Sequence, residues 1–278
     1  MSIDKLNLTI YQFLDIPLLE EIGDIREDLH RRKFYKFFCK TDYAELMWKP
    51  HKFSFEANIK IPYSKIDINP KYFSCFRSLY DYLNHLLGAE KPIPLSHFHV
   101  SRIDLKADIE DLPIDVVLSR LHAQGYRRES VTIYKGSTIY IGSNPKIRIY
   151  DKGKEILSRV KKGEKLLDWE QEIIDSKRQV TRFEVQVRHP KINLQQVVDD
   201  PSAFVSYFDK IEFYNFEDDG KIAGMGGLQL LMSKMRRESR KCFEVFKDYN
   251  LRDQVRSGYI NQVNEWFGNP SPSDNIQF

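Results

Sequence analysis

Cysteine is scarce in this chain: Cys39, Cys75 and Cys242 are the only three in 278 residues, and no C-x-x-C occurs. That excludes a disulfide framework or a cysteine zinc site as the organising feature, and leaves three thiols at the surface or in the core. Long apolar runs are missing as well. No stretch reaches the ~18 apolar residues that span a bilayer. The start, MSIDKLNLTIYQF, lacks the basic region and apolar run of a signal peptide. A cytoplasmic protein with no membrane partner is the expectation. No G-x-x-x-x-G-K-[ST] loop is present, so nothing marks a nucleoside triphosphatase. Strong charge of one sign is absent too: 43 Lys and Arg face 40 Asp and Glu, for a net +3. That is too mild to indicate nucleic acid by itself, although clustered basic groups would permit it.

The composition, 41% hydrophobic and 30% charged, is that of a folded chain and not of a disordered one. Strand patterns cover Lys5–Ile10, Phe34–Cys39 and Lys52–Ile61, which are rich in aromatic and β-branched residues. Pro70 opens a segment whose apolar positions Phe73, Phe76, Leu79, Tyr80, Leu83, Leu86 and Leu87 predict an amphipathic helix stopped at Gly88. A strand is predicted over His97–Asp108. Pro113 and Gly125 bracket a helix, I-D-V-V-L-S-R-L-H-A-Q. Ser130–Tyr134, Thr138–Ile141 and Lys146–Lys152 read as a three-stranded meander, joined by the turn sequences Lys135-Gly136-Ser137 and Gly142-Ser143-Asn144-Pro145. A polar helical segment over Lys154–Ser176 and a strand over Val180–Arg188 follow. From about Leu194 onward the pattern is mainly helical. The fold class expected is α+β: an antiparallel sheet with helices packed on one face, followed by a helical C-terminal region. The expected domains are 1–200 and 201–278, with a soft boundary between Pro201 and Gly220.

Strand side chains alternate, so residues two apart share a face. Arg102, Asp104, Lys106 and Asp108 fall on one face of their strand, and Ile103, Leu105 and Ala107 on the other. Arg148, Tyr150 and Lys152 are in phase, backed by Ile147 and Ile149. Arg182, Glu184, Gln186 and Arg188 are in phase, backed by Phe183, Val185 and Val187. The bland reading is a solvated sheet face with charges paired across strands. The functional reading is that carboxylates hold a hard cation, basic groups hold phosphates, and a phenol attacks phosphorus.

Ser101–Asp104 (S-R-I-D), Ile139–Glu155 (I-Y-I-G-S followed by I-R-I-Y-D-K-G-K-E) and Thr181–Arg188 (T-R-F-E-V-Q-V-R) occur in that order. The block, about residues 97–190, resembles plasmid rolling-circle replication initiators that nick DNA by transesterification. Those are related to the filamentous-phage initiator and to single-tyrosine relaxases of conjugative and integrative elements. The resemblance implies that Tyr150 is the nucleophile, assisted by Lys152, with Glu155 closing the motif. It also implies Asp104 and Glu184 as metal carboxylates, with Asp108 a further candidate, holding Mg²⁺ or Mn²⁺. Arg102, Lys146, Arg148, Arg182 and Arg188 become candidate DNA contacts. Relatives carry a basic residue just after the Gly-Ser and a longer turn; here the turn is Gly142-Ser143-Asn144-Pro145-Lys146, and Lys146 could take that residue's place. A free phenol ionises near pH ~10, so charge from Arg148 and Lys152 would favour the phenolate. The implied product is a 5′-phosphotyrosine with a free 3′-OH. The implied partners are single-stranded or hairpin origin DNA, a host helicase, a host polymerase and a second copy of the chain as homodimer.

His97-Phe98-His99 resembles a histidine metal pair, but His99 and Asp104 are five apart and face opposite ways on a regular strand, so strand packing is the expectation. A β-bulge would change that parity. The run S-K-M-R-R-E-S-R-K puts Lys234, Arg237 and Lys241 on one helical face; Arg237 and Lys241 are candidate DNA contacts against the plainer reading of a solvated helix. Trp48, Trp169 and Trp266 follow no base-stacking pattern, so core packing is expected. Two alternatives stay open beside an initiator: a relaxase with the same chemistry, and an origin-binding regulator without catalysis. A metal nuclease, a third class, would leave no covalent product.

Overall fold

The computed structural model describes residues 3–11, 14–27, 35–50, 63–122, 131–134, 138–213 and 247–268. Ten strands form one sheet in the order β2-β3-β4-β5-β1-β6-β11-β10-β9-β8. They are β1 (Ile3–Tyr11), β2 (Asp24–Glu27), β3 (Tyr35–Lys40), β4 (Ala44–Pro50), β5 (Tyr63–Ile68), β6 (His99–Glu110), β8 (Val131–Tyr134), β9 (Thr138–Ile141), β10 (Lys146–Asp151) and β11 (Val180–Arg188). A separate short pair joins β7 (Leu121–His122) to β12 (Glu212–Phe213). The chain is α+β, with a large antiparallel sheet, helices and a long C-terminal helix, Tyr249–Phe267.

The chain divides into two compact units that alternate along the sequence. The first comprises 1–105, 186–203 and 260–278; the second comprises 106–185 and 204–259. One border between the units, at 203/204, falls within the expected boundary region, but neither unit is a continuous half of the chain. Each of the long strands β6 and β11 changes unit partway, and the last turns of the C-terminal helix belong with the first unit, where Trp266 meets Phe76 edge-on at 5.8 Å.

In the first unit, Leu6, Leu8 and Ile10 of β1 share a buried face with Ile66 and Ile68 of β5 and with Val100 and Ile103 of β6. The helix Phe76–Leu86 buries Leu79, Tyr80, Leu83 and Leu86, the stripe that its spacing predicts. In the second unit, Ala107, Ile147, Ile149, Phe183 and Val185 form the apolar side. Gly258 of the C-terminal helix lies so close to it that a Cβ there would stand 2.7 Å from Ile109 Cδ1 and 3.9 Å from Ala107 Cβ. Trp169, from the helix Asp168–Ser176, lies over the polar side, near Lys106, Lys152 and Arg182. Helical residues therefore meet both faces of these strands.

Three local expectations change. The helix after Pro113 stops at Arg120, because Leu121 and His122 pair with Phe213 and Glu212. The segment 154–176 is two helices, Lys152–Val160 and Asp168–Ser176, separated at Gly163, whose φ of +81° suits a residue without Cβ. Strands at Ala44–Pro50 and Tyr63–Ile68 flank the expected Lys52–Ile61 strand, which lies outside the described residues.

Candidate active site

In the second unit, β10 alternates as expected. Ile147 and Ile149 are fully buried, and Arg148 and Tyr150 stand on the opposite face, paired with Tyr140 and Thr138 of β9. Gly142, at φ +72°, turns the chain between the two strands. The Tyr150 hydroxyl donates to Glu184 Oε2 at 3.4 Å. The Arg148 guanidinium lies 4.1 Å from the centre of the Tyr150 ring, and its Nη2 is 3.0 Å from the same Glu184 oxygen. Tyr150 is 3% and Glu184 5% exposed. Phenol, carboxylate and guanidinium form a closed triangle. The carboxylate is an acceptor for the phenol proton, and the guanidinium offsets the charge of a buried carboxylate.

Lys152 departs from the strand phase. β10 ends at Asp151, whose carboxylate accepts from the Lys154 amide at 3.0 Å and caps the following helix, so Lys152 is its first residue. Its ammonium is buried, 2.6 Å from Glu155 Oε2 and 3.8 Å from Glu170 Oε1. Arg159 donates to Glu155 at 2.8 Å and also holds Glu170, which is 1% exposed. Burial opposes the Glu155 carboxylate, but Lys152 and Arg159 outweigh it and hold its carboxyl below the usual range.

Beside this network, Arg182 grips Asp108 with both arms, at 2.5 and 2.7 Å, and Lys106 stands 3.5 Å from the same carboxylate. Asp108 pays a burial penalty, yet Arg182 first, then Lys106 and Lys152, keep it strongly ionised, well below the ordinary carboxylate range. The indole of Trp169 lies 5.3, 5.5 and 5.9 Å from the charges of Lys106, Lys152 and Arg182. The polar face is thus not solvated here: Lys106, Lys152, Arg182 and Glu184 are all buried.

In the first unit, Arg102 Nε donates to Asp104 Oδ1 at 2.7 Å and its Nη2 to Oδ2, while Gln186 Nε2 reaches Asp104 Oδ2 at 3.5 Å. Asp104 is 2% exposed. Arg188 is exposed and donates to Gln186. The β1–β6 ladder pairs Asn7 with Arg102 but Leu8 with Val100, so Ser101 is an extra residue, a β-bulge. Val100 and Ile103 are therefore both buried, and His99 comes into phase with Arg102 and Asp104. The parity argument against His99 falls with that bulge. His97 lies in a 3-10 turn, Leu95–His97, and not in the strand; both histidines are exposed.

The second unit thus gathers Tyr150, Arg148 and Glu184 in one group, and Lys152, Glu155, Arg159, Glu170, Asp108, Arg182, Lys106 and Trp169 in another. Asp104, Arg102, Arg188 and His99 belong to the first unit. Lys146 lies 4.6 Å from the Tyr140 ring. Arg237 and Lys241 lie outside the described residues. Sequence reasoning missed Glu170, Arg159 and the role of Trp169. The partners of Glu170 and Trp169 lie 11 or more residues away or on other strands, whereas Arg159 stands four residues after Glu155, an ion-pair spacing that could have flagged it.

The carboxylates are the donor type that Mg²⁺ or Mn²⁺ prefers. Among the described residues no three His, Cys, Asp or Glu side chains are gathered closely enough to hold an ion, and Asp104, Asp108 and Glu184 are each ion-paired with an arginine. As arranged, they do not make a metal cage. Among the described residues no helix is long and apolar enough to cross a membrane. No protein-family model matches the chain, and no curated protein matches it.

Proposed function

We propose that the protein nicks single-stranded DNA through Tyr150, as the initiating enzyme of rolling-circle replication. The observation that carries the reading is the triangle of Tyr150, Glu184 and Arg148. In the proposed step the phenol passes its proton to Glu184 and its oxygen attacks the scissile phosphorus. The P–O3′ bond breaks, and the departing 3′ oxygen takes up a proton to leave a free 3′-OH. The DNA 5′ end stays on Tyr150 as a phosphodiester, so resealing reverses the same bonds and consumes no ATP. Arg148 offsets charge on the pentavalent phosphate. Host helicase and polymerase would act on the strands released.

The Mg²⁺ or Mn²⁺ that the resemblance implies would neutralise phosphate oxygens when bound, but Glu184 and Asp108, each held by an arginine, do not form a cage for it as arranged. No step above depends on it. A relaxase of a transferable element would use the same chemistry. The burial of Tyr150, 3% exposed, favours a second reading, an origin-binding regulator that does not cut. Label transfer separates the two. With 3′-labelled single-stranded oligonucleotides and Mn²⁺, nicking leaves label on the protein through SDS gels, whereas 5′ label does not transfer. Binding without transfer favours the regulator; cleavage without any protein-linked label favours a metal nuclease.

A further inference from the structure

On the polar face of the first unit, a row of rings crosses the adjacent strands β5, β1 and β6, and Tyr35 of β3 stacks on its Tyr63 end at 6.3 Å. Tyr63 pairs with Tyr11 in the β1–β5 ladder, with ring centroids 5.3 Å apart, and Tyr11 lies 6.4 Å from His99, edge to face. All three stand opposite the buried Ile10, Leu8 and Ile66 face. Tyr11 is 60% exposed, and His99 is exposed as well. The Ser101 bulge brings His99 onto this face; on a regular strand it would point into the core.

The rows beside the rings are polar. Lys65 faces Thr9, Arg102 faces Asn7, and Lys5 faces Asp104. With Arg188, in phase with Gln186 on β11, these cations share the face with the carboxylates of Asp67, Asp104 and Glu45, and Lys65 stands 2.8 Å from Asp67. Asn7 is 6% exposed, and its Oδ1 takes no hydrogen bond from the described residues. The face thus offers rings, with Tyr11 and His99 exposed, and basic groups, of which Arg188 is exposed while Lys65 and Arg102 are held by Asp67 and Asp104.

We infer that Tyr63, Tyr11 and His99 form a stacking platform for the bases of single-stranded DNA, with Arg102, Lys65 and Arg188 as its phosphate contacts. Bases stack on aromatic rings regardless of sequence, and only unpaired bases expose their faces; basic groups nearby follow the backbone. The choice of DNA rests on the proposed function; the platform itself does not require that Tyr150 be a nucleophile.

The test uses the full chain with Tyr150→Phe, so that bound DNA is not cut, and a fluorescein-labelled oligo(dT) read by anisotropy. Tyr11→Ala and Tyr63→Ala should each weaken binding about tenfold, while Tyr11→Phe should stay within about twofold of its parent. Duplex DNA should bind more weakly than the single strand, and bromouracil photo-cross-links should map to Tyr11 or Tyr63. Tyr11 is mostly exposed, so Tyr11→Ala should keep its melting temperature and remain informative should Tyr63→Ala misfold. Unchanged affinity for Tyr11→Ala with cross-links elsewhere would overturn the platform, as would tighter binding of the matching RNA. Label transfer by the protein with Tyr150 intact separates the two proposals. Transfer with Tyr11-independent binding sinks the platform alone, and Tyr11-dependent binding without transfer sinks the nicking reading alone.

Discussion

Glu184 accepts from the Tyr150 phenol while bound to Arg148, so the hydroxyl proposed to attack DNA and the acceptor proposed for its proton are already held together. Tyr150→Phe removes one oxygen and leaves the ring against Arg148. It should abolish label transfer and cost about 1 kcal/mol or less in stability, measured by urea unfolding. Asp108 and Arg182 play a different part: a bidentate pair in a buried setting. Removing one partner strands the other, so Arg182→Met should destabilise by about 3 kcal/mol or more on the same measurement. Asp108 and Glu155 both have carboxyl pKa values lowered in the fold. Groups depressed in this way add stability that is complete above the ordinary carboxylate pKa, ~4, and lost as pH falls through that value towards the folded one. The melting temperature should therefore be flat at neutral pH and drop below about pH 4, and Asp108→Asn should shrink the drop. The nominated strand residues were legible from period-two alternation alone. Lys152 was misplaced because the Asp151 cap ends β10 one residue early and starts a helix.

Among the elements, β6 sets the layout of polar groups, and its bulge at Ser101 changes the phase once. The strands β9, β10 and β11 follow their sequence pattern closely, because alternation of Ile, Val and Phe with charged residues specifies register where one face is buried. A bulge leaves no such trace in composition, so the facing of His99 was not readable. Nor was the roof formed by Trp169, which depends on contacts between distant segments. Tight approach is also invisible in sequence. At the end of the first helix, Ile16–Ile22, a Cβ on Gly23 would lie 2.5 Å from Cys39 Sγ and 2.9 Å from the Lys40 carbonyl oxygen. Gly23→Ala should therefore destabilise by about 1–3 kcal/mol in thermal or urea unfolding, since the backbone carbonyl has little room to retreat. An unchanged melting temperature would show that β3 yields freely there.

Across the whole molecule, the α+β class followed from the succession of strand and helix periods, whereas the two interleaved units did not, because they divide long strands that read as single elements. The proposed nicking turns on one atom, the Tyr150 phenol oxygen, and the bond it would make to DNA. Peptide mass spectrometry of the protein after incubation with a single-stranded oligonucleotide and Mn²⁺ tests it most directly. A nucleotide phosphate attached to the peptide bearing Tyr150, and absent from Tyr150→Phe, is the expected result. An adduct on any other residue, or one that survives Tyr150→Phe, would contradict it.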